Sequence, residues 1–140
     1  MNLTDASGSI QVLKGVQVLV VDNDNDCGEM YDTLLNHFDV IVTLARSVKN
    51  ALDILDWLIP NIIVCEIRFL GESVYRLFEK LHAMEVGSGN HIPIIVTSTC
   101  HISSRKQIDD VEFEGYLLKP FDPEELVLRI VNLMEIIKTG

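Results

Sequence analysis

The stretch "VLVVDNDND", Val18–Asp26, places four aliphatic residues directly before five positions that hold three carboxylates. An aliphatic run of this length without a polar face predicts a strand that is covered on both sides. Acidic residues directly after such a strand lie at the edge where parallel sheets place their ligand and catalytic sites. This stretch therefore indicates a parallel sheet with an acidic site at its carboxyl edge.

Size and charge limit the classes of protein to consider. The 140 residues are 48% hydrophobic and 23% charged, with a net charge of −10. This composition predicts one soluble globular domain, and the negative charge opposes contact with a phosphate backbone, so we expect no nucleic-acid binding. No apolar run reaches the roughly 20 residues of a membrane-spanning helix, and the first residues lack a secretory signal pattern. We expect a cytoplasmic protein without a membrane partner, a poorly ordered leader over residues 1–15 and one domain over residues 16–140.

Five apolar runs of strand length alternate with stretches of helical period. The runs cover residues 16–21, 40–45, 61–67, 92–98 and 115–118. Helical stripes follow four of them, including Met30, Leu34 and Phe38 after the first run. The clearest stripe, at the end of the chain, contains Leu126, Ile130, Leu133 and Ile137. Residues 103–114 predict a weaker fifth helix. Such an alternation predicts a parallel sheet with helices on both faces.

Polar side chains stand at the predicted carboxyl ends of these strands. Asp22 and Asn23 follow the first strand, Glu66 lies in the third, Ser98 ends the fourth and Lys119 follows the fifth. Because the carboxyl ends of parallel strands meet at one edge of the sheet, we expect these side chains to share a pocket.

The two later acids of the opening stretch have a simpler explanation. Asp24 is a good N-cap for the following helix, and Asp26 is favourable near the positive helix end. A calcium loop beginning at Asp22 is excluded, since Cys27 and Thr33 occupy the positions that need Gly and Glu.

With Asp22, Ser98 and Lys119-Pro120 in this order on successive strand ends, the chain resembles the receiver domain of response regulators from about Val16 onward. The resemblance implies a flavodoxin-like three-layer αβα sandwich, with five helices and a five-stranded parallel sheet of order 2-1-3-4-5. It also implies a non-enzymatic role in two-component (phosphorelay) signal transduction. In that family, a histidine kinase phosphorylates an aspartate beside a magnesium ion held by an acid pair.

The family roles transfer to this chain by position. The acid pair falls on Asp22 and Asn23, the switch residues on Ser98 and Tyr116, the phosphate-contacting lysine on Lys119, and the phosphoacceptor on Glu66. The partners implied are a histidine kinase or a downstream effector protein. The face formed by the last helices and strand is a candidate for homodimer contacts.

Two departures from the family fall in the chemistry itself. Glu66 is one methylene longer than aspartate, which displaces the acceptor oxygen, whereas phosphoryl transfer depends on close placement. Asn23 lacks the charge that magnesium prefers in its ligands. We therefore expect an atypical pseudo-receiver that is not phosphorylated in the usual way, with no cofactor or a weakened magnesium site at Asp22, Asn23 and Glu66. Three forms of this hypothesis stay open: a scaffold, a domain in which Glu66 mimics phosphoaspartate, and a slowly phosphorylated domain.

A hypothesis of another class is a haloacid-dehalogenase-like phosphatase. Asp22 would be its nucleophile and Asp24 its general acid, followed by a hydroxyl residue and a lysine on later strands. That family also needs an acidic motif on a strand beyond the lysine. Here the sequence predicts one helix after Lys119, which favours the receiver.

Overall fold

The computed structural model describes residues 11–69, 71–99 and 113–139. A 3-10 turn, Gln11–Leu13, precedes the regular elements. In chain order these are β1 (Gln17–Val21), α1 (Asn25–Asn36), β2 (Ile41–Ala45), α2 (Val48–Leu55), β3 (Ile62–Glu66), α3 (Tyr75–Ser88), β4 (Ile94–Ser98), β5 (Gly115–Leu118) and α4 (Pro123–Thr139).

All five strands form one parallel sheet in the order β2-β1-β3-β4-β5. Each strand lies within its predicted apolar run, so the predicted sheet and its order are confirmed. Four α-helices, rather than the expected five, are seen in the described part of the chain. The weak fifth helix was expected over residues 103–114, of which only Phe113 and Glu114 are described, and these two are not helical.

The core consists of two clusters, one on each face of the sheet. The α2–α3 cluster includes Leu19, Val21, Ile63 and Val96 with the inner sides of α2 and α3. The α1–α4 cluster includes Val18, Val20, Ile62, Val64 and Ile95 with the inner sides of α1 and α4. Successive strand residues point to opposite faces, so strands buried on both faces have no polar side. This double burial explains the continuous apolar runs in the sequence.

The first described residues pack against the domain. Leu13 is fully buried in the α1–α4 cluster, and the turn Gln11–Leu13 contacts α4. Residues 1–10 of the expected leader lie outside the described residues. The boundary at residue 16 stays a prediction, but the packed core already includes Leu13.

The longest helix in residues 11–69, 71–99 and 113–139 is α4, with 17 residues. Neither α4 nor any other helix of this part combines the length and apolar character needed to cross a membrane.

Candidate functional site

Three charged side chains meet at the carboxyl edge of the sheet. Lys119 Nζ lies 2.7 Å from Asp22 Oδ2 and 2.9 Å from Glu66 Oε2. These side chains are nearly closed to solvent, with exposed fractions of 10% for Lys119, 1% for Asp22 and 6% for Glu66. A buried group of charges is tolerated only when its members are paired and hydrogen-bonded. The arrangement therefore depends on where the remaining carboxylate oxygens bind.

Backbone amides occupy those remaining oxygens. Asp22 Oδ1 accepts a hydrogen bond from the N–H of Asp24 at 2.9 Å. Glu66 Oε1 accepts from the N–H groups of Ile67 at 3.1 Å and Arg68 at 3.2 Å. Each of the four carboxylate oxygens thus has at least one donor. Glu66 turns back onto the loop that follows β3. Lys119 binds one of its oxygens, and the two backbone amides bind the other.

The ammonium group of Lys119 is held in its charged form. Burial would lower the pKa of Lys119, but the hydrogen bonds to Asp22 and Glu66 outweigh this effect and raise the pKa above its ordinary value. Lys119 therefore stays protonated across the physiological range and bridges the two carboxylates.

The donor set fits a magnesium ion poorly. Asp22 and Glu66 already share the ammonium of Lys119, and Asn23 is exposed and carries no charge. Magnesium needs anionic oxygens in near-octahedral order, and here two carboxylates are offset by one cation. Among the residues placed by the structure, no group of three His, Cys, Asp or Glu could hold a metal. The weakened site stays a prediction.

Ser98 and Tyr116 lie on the two adjoining strands. Ser98 is fully buried at the end of β4, opposite Leu118, whereas Tyr116 is half-buried and lies opposite Val96. Tyr116 packs against the α2–α3 cluster, and strand alternation places Ser98 on the same face. The structure therefore brings Asp22, Glu66 and Lys119 into contact and places Ser98 at the neighbouring strand end. The switch roles of Ser98 and Tyr116 stay predictions.

Two further hydroxyl groups lie on the opposite face of the sheet. One belongs to Thr97, which a one-residue error in register would have put in the role of Ser98. Thr97 Oγ1 and Tyr31 Oη are buried, and neither has a hydrogen-bond partner of ordinary geometry among the residues that the structure describes. Burial is the largest influence on Tyr31 and raises its pKa, so the phenol stays protonated. The alternation of β4 thus separates Thr97 from the face that carries Tyr116.

Asp24 performs the capping role predicted for it. Its Oδ1 accepts from the N–H groups of Asp26 at 2.9 Å and Cys27 at 3.3 Å at the start of α1. These bonds to Cys27 and Asp26 lower the pKa of Asp24. A general acid must carry a proton, whereas these donors favour the carboxylate. The phosphatase hypothesis is therefore not supported.

Two further carboxylate contacts escaped sequence reasoning. Glu72 bonds the start of α2 from a distant loop. His91 bonds Glu85 and Glu114 through its two ring nitrogens. The Glu72 contacts and the His91–Glu114 contact join segments 23 or 24 residues apart in the chain, so no local spacing indicates them.

Known proteins resemble this chain along most of its length. The family model described as "Response regulator receiver domain" matches residues 18–131. An uncharacterised 14.6 kDa protein of Leptolyngbya boryana is 29% identical, over 84% of this chain and 89% of that protein. Protein PetR of Rhodobacter capsulatus is 30% identical over 81% of this chain, and the match spans 46% of PetR, or about half its length.

A solved structure shows the same fold. The putative response regulator from Chloroflexus aurantiacus is 28% identical, with a TM-score of 0.75, over 87% of this chain and 99% of that one. The family match and this likeness agree with the strand order of the sheet. This chain belongs to the response-regulator receiver-domain family of two-component signalling.

Proposed function

We propose that this receiver domain works through protein–protein contacts and is not phosphorylated in the usual way, because Glu66 replaces the acceptor aspartate. The observation that carries the proposal is the bonding of Glu66. One oxygen binds Lys119 at 2.9 Å, and the other binds two backbone amides.

These contacts oppose phosphoryl transfer. An acceptor oxygen must approach phosphorus closely and in line, so Glu66 would first have to leave its present partners. This movement costs free energy, because Glu66 would give up a buried ion pair and two hydrogen bonds at once. The poor magnesium fit adds to this cost, since the metal neutralises the transferred group in phosphoryl transfer.

The same contacts favour the partial-mimic form of the hypothesis. Glu66 gives Lys119 a negative partner without any chemical step, as a phosphoryl group would. A carboxylate has two oxygens and one charge, whereas a phosphoryl group has three oxygens and more charge. The effect on the Ser98 and Tyr116 switch is therefore incomplete, and the half-buried position of Tyr116 fits an intermediate state. Moving a two-state equilibrium from almost entirely inactive to almost entirely active takes about 5.5 kcal/mol. One such contact supplies less than this.

In this proposal, the domain transmits its signal by binding another protein. The partner is a histidine kinase or a downstream effector protein, and the surface through which the Tyr116 state reaches it is the face formed by β5, α4 and the helix predicted before β5. The same face is proposed for contact with a second copy of the chain.

The test is incubation with acetyl phosphate and magnesium, followed by intact-mass measurement. We expect no mass change in the unaltered chain. The matched variant carries Glu66→Asp and Asn23→Asp, which restore the family's acid set, and should gain a phosphoryl group that hydroxylamine removes. A hydroxylamine-sensitive adduct on Glu66 of the unaltered chain would refute the proposal.

A further inference from the structure

The side chain of Glu72 caps the N-terminus of α2, although Glu72 lies 24 residues after Val48, the first residue of this helix. Glu72 Oε1 accepts from the N–H of Val48 at 3.0 Å, and Oε2 accepts from the N–H of Lys49 at 2.9 Å. Ser47, the N-cap, accepts from the N–H of Asn50 at 2.9 Å. The first three N–H groups of α2 have no partner inside the helix. All three are thus satisfied by side chains, two of them by Glu72.

The loop that carries Glu72 also binds the candidate site. It joins β3 to α3, and two backbone amides at its start bind Glu66 Oε1. Phe69 and Glu72 then form an antiparallel bridge across a tight turn, with Gly71 at a φ of 75°. A positive φ favours glycine, which explains this residue in the turn. One turn therefore separates the amides that hold Glu66 from the anchor on α2.

The two amides that bind Glu66 differ in their dependence on the loop. The N–H of Ile67 also points at the carbonyl oxygen of Thr97, 3.2 Å away, and therefore stays with the sheet. The N–H of Arg68 lies one residue further into the loop, 3.2 Å from Glu66 Oε1. The position of the Arg68 amide thus depends on the conformation of the loop.

We propose that Glu72 is a positioning residue that latches the β3–α3 loop onto α2 and so holds the Arg68 amide against Glu66. Both latch bonds run from backbone N–H groups at the positive end of a helix to a carboxylate side chain, and charge-assisted hydrogen bonds of this kind are about twice as strong as neutral ones. The latch itself follows from these contacts, and its effect on signalling rests on the function proposed above.

A cap that only stabilises α2 would produce the same contacts, so the test must separate the two roles. Glu72→Gln keeps the size of the side chain but replaces two anionic oxygens with one neutral acceptor. Glu72→Asp keeps the charge but shortens the reach. Ser47→Ala is the matched control, because it removes a cap from the same helix end without touching the loop.

Amide hydrogen exchange of the full chain, followed by NMR, measures the outcome. In Glu72→Gln we expect the Val48, Lys49 and Arg68 amides to exchange roughly tenfold faster, and Ile67 to change less. Glu72→Asp should lie between Glu72→Gln and the unaltered chain. Ser47→Ala should speed exchange at Asn50 and leave Arg68 unchanged.

Two outcomes would overturn the latch. If Glu72→Gln speeds exchange at Val48 and Lys49 but not at Arg68, then Glu72 is only a cap of α2. If Ser47→Ala and Glu72→Gln speed Arg68 equally, the effect is a general loss of stability. Phosphorylation of Glu66 in the mass experiment would refute the proposed function without changing these rates, so the two failures are distinguishable.

Discussion

Lys119 and Asp22 form a buried ion pair although 97 residues separate them in the chain. The pair joins the residue after β5 to the residue after β1, and Glu66 adds a second carboxylate between them. The positive charge of Lys119 offsets the negative charges of the two buried carboxylates. The triad is therefore more sensitive to loss of its single cation than to loss of one anion.

Replacing the cation should destabilise the domain strongly. In Lys119→Met, Asp22 and Glu66 keep two buried negative charges without a cation, so we expect a loss of about 3–5 kcal/mol in the free energy of unfolding. Urea titration followed by circular dichroism measures this loss. Lys80→Met is the control, since the Lys80–Asp56 pair at 2.8 Å is more exposed and its loss should cost less than about 1 kcal/mol. Equal losses in the two variants would contradict this account of the site.

Removing the negative charge of Glu66 should change the environment of Tyr116, the proposed switch residue. Glu66→Gln removes the charge that binds Lys119, so we expect the amide and ring resonances of Tyr116 to shift in NMR spectra. Glu79→Gln, a change on the exposed face of α3, is the control and should leave Tyr116 unaltered. If the Tyr116 resonances stay in place in Glu66→Gln, the mimic hypothesis fails.

Magnesium should bind weakly. Because Lys119 already neutralises the carboxylates and Asn23 has no charge, we expect little change in amide shifts when magnesium is added. The double change Glu66→Asp with Asn23→Asp adds an anionic ligand and should produce a saturable titration. Saturation of the unaltered chain at low magnesium would show that other acids, such as Asp24 or Asp26, supply the missing ligand.

Stability should depend on the protonation of His91. Its Nδ1 lies 3.1 Å from Glu85 Oε2, and its Nε2 contacts Glu114 Oε1. The bonds to Glu114 and Glu85 raise the pKa of His91 above its ordinary value of 6.5. A raised pKa means that the folded state binds the proton more tightly than the unfolded state does. The stabilisation is thus complete below about pH 6.5 and is lost as the pH rises through the raised pKa.

His91→Asn tests this dependence, since asparagine does not titrate. The urea midpoint of the unaltered chain should fall across that pH interval, and the midpoint of the variant should fall less. His37→Asn serves as the control and should keep the full dependence. A pH profile that His91→Asn leaves unchanged would assign the dependence to other groups.

The fold follows from sequence because its pattern is local. The run "NIIVCEI" lacks a polar face, and β3 is buried on both faces, as the run predicts. The first helical stripe, with Tyr31 and Leu35 beside it, lies on the core side of α1. Tyr31 and Leu35 are fully buried, whereas Met30, Leu34 and Phe38 are half-buried against the same cluster. Several apolar residues share this helix, and packing against the sheet decides which of them face inward.

The site was only partly predictable, because the sequence pattern indicates which strand ends meet but not which hydrogen bonds their side chains form. Parallel strands bring their carboxyl ends together, so Asp22, Glu66 and Lys119 were expected in one pocket. Their hydrogen bonds depend on side-chain paths that the sequence does not record. Glu72 shows this most clearly, because its two acceptors reach a helix start 24 residues earlier in the chain.

The packing of Leu13 affects how the domain is completed during synthesis. Leu13 and Val16 are buried together with Ile130 and Met134 of α4, the element that a ribosome makes last among those described. Contacts over such long sequence separations form late and slow folding. On the nascent chain, the α1 face of the sheet stays partly uncovered until α4 emerges, whereas α2 and α3 are made earlier and can already cover the other face. That interval is when the emerging chain most needs protection from aggregation.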